Sequence, residues 1–300
     1  MEKVLSRRIF LGAAALGAGA AMLPSHLSAS EYVEIGEKTA QNQPPLKIGM
    51  MTYLIGSRWD LDTLIKNCTE TKFLHAELRT TQGHGVELAL NKSERQDVKK
   101  KIADSALEAI SLASAFAYHF PDQKILRENI EGTKQYLQLA ADVGAIGIRV
   151  FPNDLPDGVP EEKTMEQIGK SLAEVGKVGH DLGVDVRVEV HGRKTNQVHV
   201  IKKIVDYSQS PYVYVTWNCL PEDLLGEGFR ANYNMLKDRI RGLHMRDLYL
   251  EDYPYRELFR LLRADGFTGY CNCEVSRVSC EPIEFMKYYR ALFLAYQDVI

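Results

Sequence analysis

The sequence predicts a (β/α)8 TIM barrel folded as a single domain, and three observations carry that expectation. From Leu46 onward, short β-branched runs alternate with longer segments of helical period. The alternation repeats eight times, over the roughly 250 residues that such a barrel needs. Glycines at 144, 183 and 266 follow helical segments just before the next strand, where a left-handed residue ends a helix. A doubly wound open sheet is the rival. It loses support in its dinucleotide-binding form, because no Gly-x-Gly-x-x-Gly follows the first strand. No linker divides the pattern.

Taken in order, a strand over Lys47–Tyr53 leads to a helix over Asp60–Thr71, and Leu74–Arg79 leads to Lys92–Ser105. The third strand, Ala109–Ala115, feeds Asp122–Val143, closed by Gly144; the fourth, Ile146–Phe151, feeds Glu161–Leu182, closed by Gly183. Asp185–His191 precedes Thr195–Ser208, and Tyr212–Trp217 precedes Phe229–Lys237. The last two units pair Ile240–His244 with Tyr255–Asp265, closed by Gly266, and Gly269–Glu274 with Pro282–Tyr296.

The first thirty residues differ in kind. Lys3, Arg7 and Arg8 precede an apolar stretch from Phe10 to Leu23, and Pro24 with small residues closes it, which is the pattern of a signal peptide too short to span a membrane. The order Ser-Arg-Arg-x-Phe-Leu at Ser6 to Leu11 resembles the twin-arginine export signal. The expected division is a signal peptide over 1–30, cleaved near Ala29, a flexible leader over 31–45, and a barrel over 46–300 in an exported, periplasmic protein.

Composition narrows the partners. A formal net charge of -3 comes from interleaved signs with no basic stripe, so nucleic acid is excluded as the expected ligand, and Lys99 to Lys101 read as a solvated helix face. No membrane span is expected in the mature chain. Five cysteines lack any framework spacing, and Cys271 and Cys273 read as small core residues of one strand rather than a zinc site. The chain could also self-associate through its outer helices, which the sequence leaves open.

In a barrel of this kind chemistry sits where the strands end. Strand five carries Glu189 and His191, strand six ends at Asn218, strand seven at His244 and strand eight at Glu274. Two carboxylates, an imidazole and an amide oxygen converging from adjacent strands would suit Mn²⁺, Mg²⁺, Co²⁺ or Zn²⁺.

The stretches "VEVHG" on strand five, "HMRD" at His244 to Asp247 and "CE" ending at Glu274 resemble the metal-bearing strand ends of the xylose-isomerase-like barrel family, in its sugar phosphate isomerase/epimerase branch. The segments "ELRTT", "HGVE" and "YPYRELFRLL" are similar to export-tagged members of that branch. The resemblance implies one divalent metal held by Glu189, His244 and Glu274, with Asn218 standing where the family carries Asp. It also implies a carbohydrate as the small-molecule partner.

The chemistry has its own rationale. A metal that chelates a sugar carbonyl and its neighbouring hydroxyl acidifies the carbon-bound proton through an enediolate, and a carboxylate on each face can remove or return it. Glu189 and Glu274 are the expected catalytic pair as well as ligands. His191, Arg193, Arg246, His119, Glu77, Arg149 and Trp217 are the expected substrate contacts, with Arg79, Asn153 and Asp247 at the same mouth and Trp217, Trp59 and Tyr118 offered as stacking surfaces. An ion-paired structural role for Arg149, with Glu77 as its partner, is the competing reading. His84, His180 and His199 read as surface or helix histidines, as does His75 at a strand start.

The resulting expectation is an enzyme, a metal-dependent sugar isomerase or epimerase. A lyase that deprotonates C2 of a 3-keto-glycoside and expels the C1 substituent would use the same residues. Phosphodiester hydrolysis of the endonuclease IV kind would need several metals and a basic face. A non-catalytic periplasmic sugar-binding barrel is kept open by Asn218.

Overall fold

The structure is a computed structural model and describes residues 43–275, 278 and 280–299. The predicted signal peptide, and the leader as far as residue 42, lie outside the described residues. Among the described residues no helix is long and apolar enough to cross a membrane.

Eight parallel strands close on themselves: β1 (Lys47–Met51), β2 (His75–Arg79), β3 (Ala109–Ala117), β4 (Gly147–Phe151), β5 (Asp185–Glu189), β6 (Val213–Trp217), β7 (Ile240–Met245) and β8 (Tyr270–Cys273). Each pairs with its sequence neighbours, and β8 returns to β1 through Ile48 opposite Cys271. Eight helices follow the strands in turn: α1 (Leu61–Thr71), α2 (Lys92–Ala103), α3 (Gln123–Val143), α4 (Glu161–Leu182), α5 (Val198–Ser208), α6 (Phe229–Leu236), α7 (Tyr255–Ala264) and α8 (Pro282–Ala295). This is the expected barrel.

Local chemistry explains where the helices start and stop. Asp60 and Asp122 accept backbone N–H groups of the first turns of α1 and α3, and Asn91 with Glu94 forms a reciprocal capping box on α2. Gly144 and Gly183 end α3 and α4 at φ 76° and 71°, in the left-handed region expected of them. Strand ends differ more from expectation. β1 stops at Met51, β3 runs on to Ala117 through an irregularity, and β5 stops at Glu189. Beyond β5, Gly192–Arg193 form a two-residue parallel ladder with Asn153–Asp154 that ties the loops after β4 and β5 together.

Outward-facing strand residues such as Ala76, Leu78, Val186, Val188, Leu243 and Cys271 are buried against the helices in the apolar core. The inward face is different in kind. His75 and Glu77 of β2, Arg149 of β4, Arg187 and Glu189 of β5, His244 of β7 and Asn272 of β8 are all buried. Aliphatic layers usually fill such a barrel, whereas this one is filled by polar groups bonded to one another. Two glycines make the room. A Cβ at Gly49 would stand 2.2 Å from Asn272 Oδ1, and one at Gly147 would stand 2.8 Å from the Arg187 guanidinium, so β1 and β4 yield space to buried polar side chains.

Candidate active site

A continuous hydrogen-bonded chain rises through the barrel to its C-terminal mouth. Ser111 Oγ lies 3.1 Å from His75 Nε2, and His75 Nδ1 lies 2.8 Å from Asn272 Oδ1. Asn272 Nδ2 donates to Glu77 Oε2 at 2.8 Å, which also accepts from His244 Nε2 at 3.1 Å. His244 Nδ1 then faces Glu189 Oε1 at 3.1 Å, and Glu189 Oε2 faces Arg149 Nε at 3.1 Å. Strand alternation produces this arrangement, because residues two apart share a face. The pairs His75 and Glu77, Arg187 and Glu189, and Asn272 and Glu274 each obey that spacing.

Electrostatics follow from the packing. Burial depresses the His75 imidazole to about 4, against the pull of Glu77, so it is neutral and donates through one nitrogen. For His244 burial also disfavours charge, but Glu77, Glu189 and Glu274 around it outweigh burial and hold it well above the usual histidine range. Burial raises Glu189, yet Arg149 and His244 overcome that and keep it ionised.

Glu189, His244 and Glu274 each present a ligand atom within 4.8 Å of the others. Glu189 Oε2 and Glu274 Oε2 are buried and accept no well-aligned hydrogen bond, meeting Arg149 Nε at 3.1 Å and Arg246 Nη1 at 3.3 Å as ion pairs. Oxygen, nitrogen and oxygen donors converging with spare lone pairs fit a divalent cation of the borderline class. Asn218 stands beside them and is fully buried. Its Oδ1 accepts from Arg246 Nη2 at 2.9 Å, while Arg246 Nη1 lies 3.3 Å from Glu274 Oε2.

The other predicted residues fall into distinct environments. Arg149 is 2% exposed and is ion-paired to Glu189, not to Glu77, and it also donates to Ser114 O at 2.6 Å. Glu77 is buried beneath His244, where its Oε2 accepts from His244 Nε2 and Asn272 Nδ2. Arg193 belongs to the small ladder and pairs with Asp154 at 2.9 Å and Asp157 at 3.1 Å, so its charge is engaged at the rim. His119 and His191 are partly buried at the mouth, each with an unpartnered Nδ1.

Trp217 departs from expectation. It is 0% exposed, its Nε1 donates to Tyr253 Oη at 2.8 Å, and Phe229 and Tyr233 pack against its ring, so it offers no face to a sugar. The reason is strand alternation: Asn218 points into the barrel, so its neighbour Trp217 must point out. Tyr118 is likewise buried, bonded to Thr133. An aromatic surface does exist at the mouth, in Phe151, whose ring lies 4.6 Å from that of His191 and 4.0 Å from the Arg149 guanidinium carbon. Its spacing two residues beyond Arg149 was the available signal. His75 also departs from expectation, being buried inside the barrel rather than at the surface.

Below Asn218 the loop after β6 is pinned by Asp223, whose Oδ2 accepts from Tyr253 Oη at 2.6 Å and from Leu220 N at 3.0 Å. Burial pushes this carboxyl up to about 7 against those two bonds. Its folded pKa exceeds the unfolded one, so its stabilising contribution is full below the unfolded value of 3.8 and is lost as pH rises from there to about 7. We expect the melting temperature to fall between about pH 4 and about pH 7 and Asp223→Asn to flatten that slope, as thermal denaturation at several pH values would show.

The model of the xylose isomerase-like TIM barrel family matches residues 65–291. Among solved structures, 3-keto-D-glucoside 4-epimerase, YcjR, from E. coli superposes with a TM-score of 0.70 at 15% identity, covering 83% of this chain and 99% of that chain. An L-ribulose 3-epimerase gives 0.71 at 14% identity, over 84% of this chain and 95% of that one. The IolI protein, whose structure holds a zinc atom, gives 0.69 at 15%, over 84% and 98% respectively. At these identities the likeness is one of fold. No curated protein matches the sequence.

Proposed function

Because this chain belongs to the xylose isomerase-like TIM barrel family, we propose that it is a divalent-metal-dependent sugar isomerase or epimerase that moves a proton on the carbon next to a sugar carbonyl. The observation that carries the reading is the convergence of Glu189, His244 and Glu274 at the barrel mouth. Glu189, His244 Nδ1 and Glu274 would hold the ion, with Asn218 beside them. When bound, the ion would polarise the sugar carbonyl and stabilise the charge that builds on its oxygen.

The chain's own groups supply the rest. Glu189 and Glu274 lie on different strands, and each can take or return a proton at the carbon between them. Arg149 keeps Glu189 ionised and fixed in place. Glu77 accepts from His244 Nε2, which leaves Nδ1 directed at the metal position. Phe151 and His191 provide an apolar and a polar surface for one sugar face.

The likeness to the 3-keto-D-glucoside epimerase supports a 3-keto-glycoside as substrate, and on that substrate a second reading is a lyase. In a 3-keto-glycoside the C2 proton passes to a carboxylate, the C2–H electron pair forms the C1–C2 double bond, and the C1–O bond breaks as the substituent leaves and takes up a proton. The same two glutamates serve. The twin-arginine-like segment adds export to the periplasm to the proposal.

The test is solvent deuterium incorporation into keto-sugars and 3-keto-glucosides, with and without Mn²⁺ or Co²⁺. Metal-dependent exchange is the expected result, with loss of the C1 group marking the lyase. Stoichiometric metal without exchange into any of these sugars would end the enolising reading.

A further inference from the structure

The arginines at the mouth are not equivalent. Arg149 faces Glu189, Arg246 faces Glu274, and Arg193 faces Asp154 and Asp157. Arg79, at the end of β2, has no carboxylate partner among the described residues. Its Nη1 donates only to neutral oxygens of the adjacent residue, Thr80 Oγ1 at 2.8 Å and Thr80 O at 3.2 Å. The carboxylates nearest to it are already engaged. Glu87 accepts from Thr81 N and from Tyr136 Oη, and Glu189 is divided between His244 and Arg149.

Arg79 shares the inward face of β2 with His75 and Glu77, so it stands one layer above Glu77 at the mouth. It is partly buried, and burial first, then the nearby Arg149 guanidinium, hold it below the ordinary arginine range. A guanidinium that is partly desolvated, repelled by a second one and left without an anion is costly unless a ligand supplies the missing charge. Tyr53, two residues beyond β1 and half exposed, is close enough to interact with it.

From this we propose that Arg79 marks a subsite for an anionic substituent of the sugar, a carboxylate or a phosphate, so that the ligand of this barrel is an acidic sugar. The inference deepens the sugar-enzyme reading and rests on it for the sugar itself. The surrounding backbone favours the carboxylate. Phosphate sites are usually built from several converging N–H groups, but here Arg79 N donates to Thr52 Oγ1, Thr80 N to Ala113 O, Thr81 N to Glu87 Oε1 and Gly83 N to Ser57 O. Those four N–H groups are spent, and the planar guanidinium has the geometry that pairs with a carboxylate through two parallel hydrogen bonds.

The experiment is calorimetric titration of the full mature chain, with Mn²⁺ present, by D-glucose, D-glucuronate and D-glucose 6-phosphate. Glucuronate should bind about tenfold or more tightly than glucose, and added salt should narrow the gap. Arg79→Gln should abolish the preference by weakening glucuronate far more than glucose, and Arg79→Lys should keep part of it. A larger preference for the phosphate that Arg79→Gln also removes would keep the anionic subsite and identify a sugar phosphate as its source. Equal binding of glucose and glucuronate, equal weakening of both by Arg79→Gln, or no binding of either acidic sugar would overturn the inference. Deuterium exchange reads separately. Exchange into neutral sugars without an anionic preference would sink this proposal alone, and an Arg79-dependent preference without exchange would sink the enzymatic one alone.

Discussion

Glu274→Gln is expected to lower proton exchange by about two to four orders of magnitude while leaving the fold intact, because general acid-base groups contribute on that scale. Its carboxyl is 13% exposed at the rim, and among the described residues its ion-pair partners are His244, which Glu77 and Glu189 also hold, and the partly exposed Arg246, so its loss strands no buried charge without a partner. Glu189→Gln should lose exchange to a similar extent and destabilise as well. The side chain of its partner Arg149 is buried, and a buried guanidinium deprived of its counter-charge costs about 3–5 kcal/mol. The pair of variants therefore separates chemistry from stability. Exchange measured by NMR together with thermal melts decides the matter, and a Glu274→Gln protein that exchanges at the wild-type rate would remove the two-carboxylate reading.

Glu77→Gln is expected to weaken metal binding by about 10–100-fold, the usual consequence of removing the carboxylate behind a ligating histidine. Glu77 is buried, and its Oε2 is the acceptor for His244 Nε2. Replacement by the amide keeps the shape and removes the charge that makes the imidazole a stronger donor to a cation. Titration of metal-stripped protein with Mn²⁺ or Co²⁺ measures this directly. An unchanged dissociation constant would mean that His244 is oriented by packing alone.

The architecture was legible because both periodicities are strong in this chain: β-branched runs and helical segments alternate, and the left-handed glycines at 144 and 183 stand where each helix must stop. The convergence of Glu189, His244 and Glu274 was legible because a charged or polar side chain closing an apolar strand is costly without a purpose. The remaining positions depend on alternation along each strand. Trp217 and Asn218 are adjacent and cannot share a face, so only one of them can reach the mouth. His75, Asn272 and Phe151 lie two residues from Glu77, Glu274 and Arg149, and the same rule would have placed them inside the barrel. Pairing was less accessible still. That Arg149 faces Glu189, or that Arg193 faces Asp154 and Asp157, depends on strand stagger and loop path, which a single sequence does not encode in any local pattern.

Trp217 also has a practical consequence. The chain has 2 tryptophans, and this one is 0% exposed, with Nε1 bonded to Tyr253 Oη and Asn218 as its immediate neighbour. A dry indole emits at shorter wavelength than a hydrated one, and its intensity responds to small changes in nearby charge and hydrogen bonding. Trp217 is thus an optical gauge built into the strand that carries Asn218. With Trp59 replaced by Phe, its fluorescence would follow filling of the barrel mouth in real time without any label.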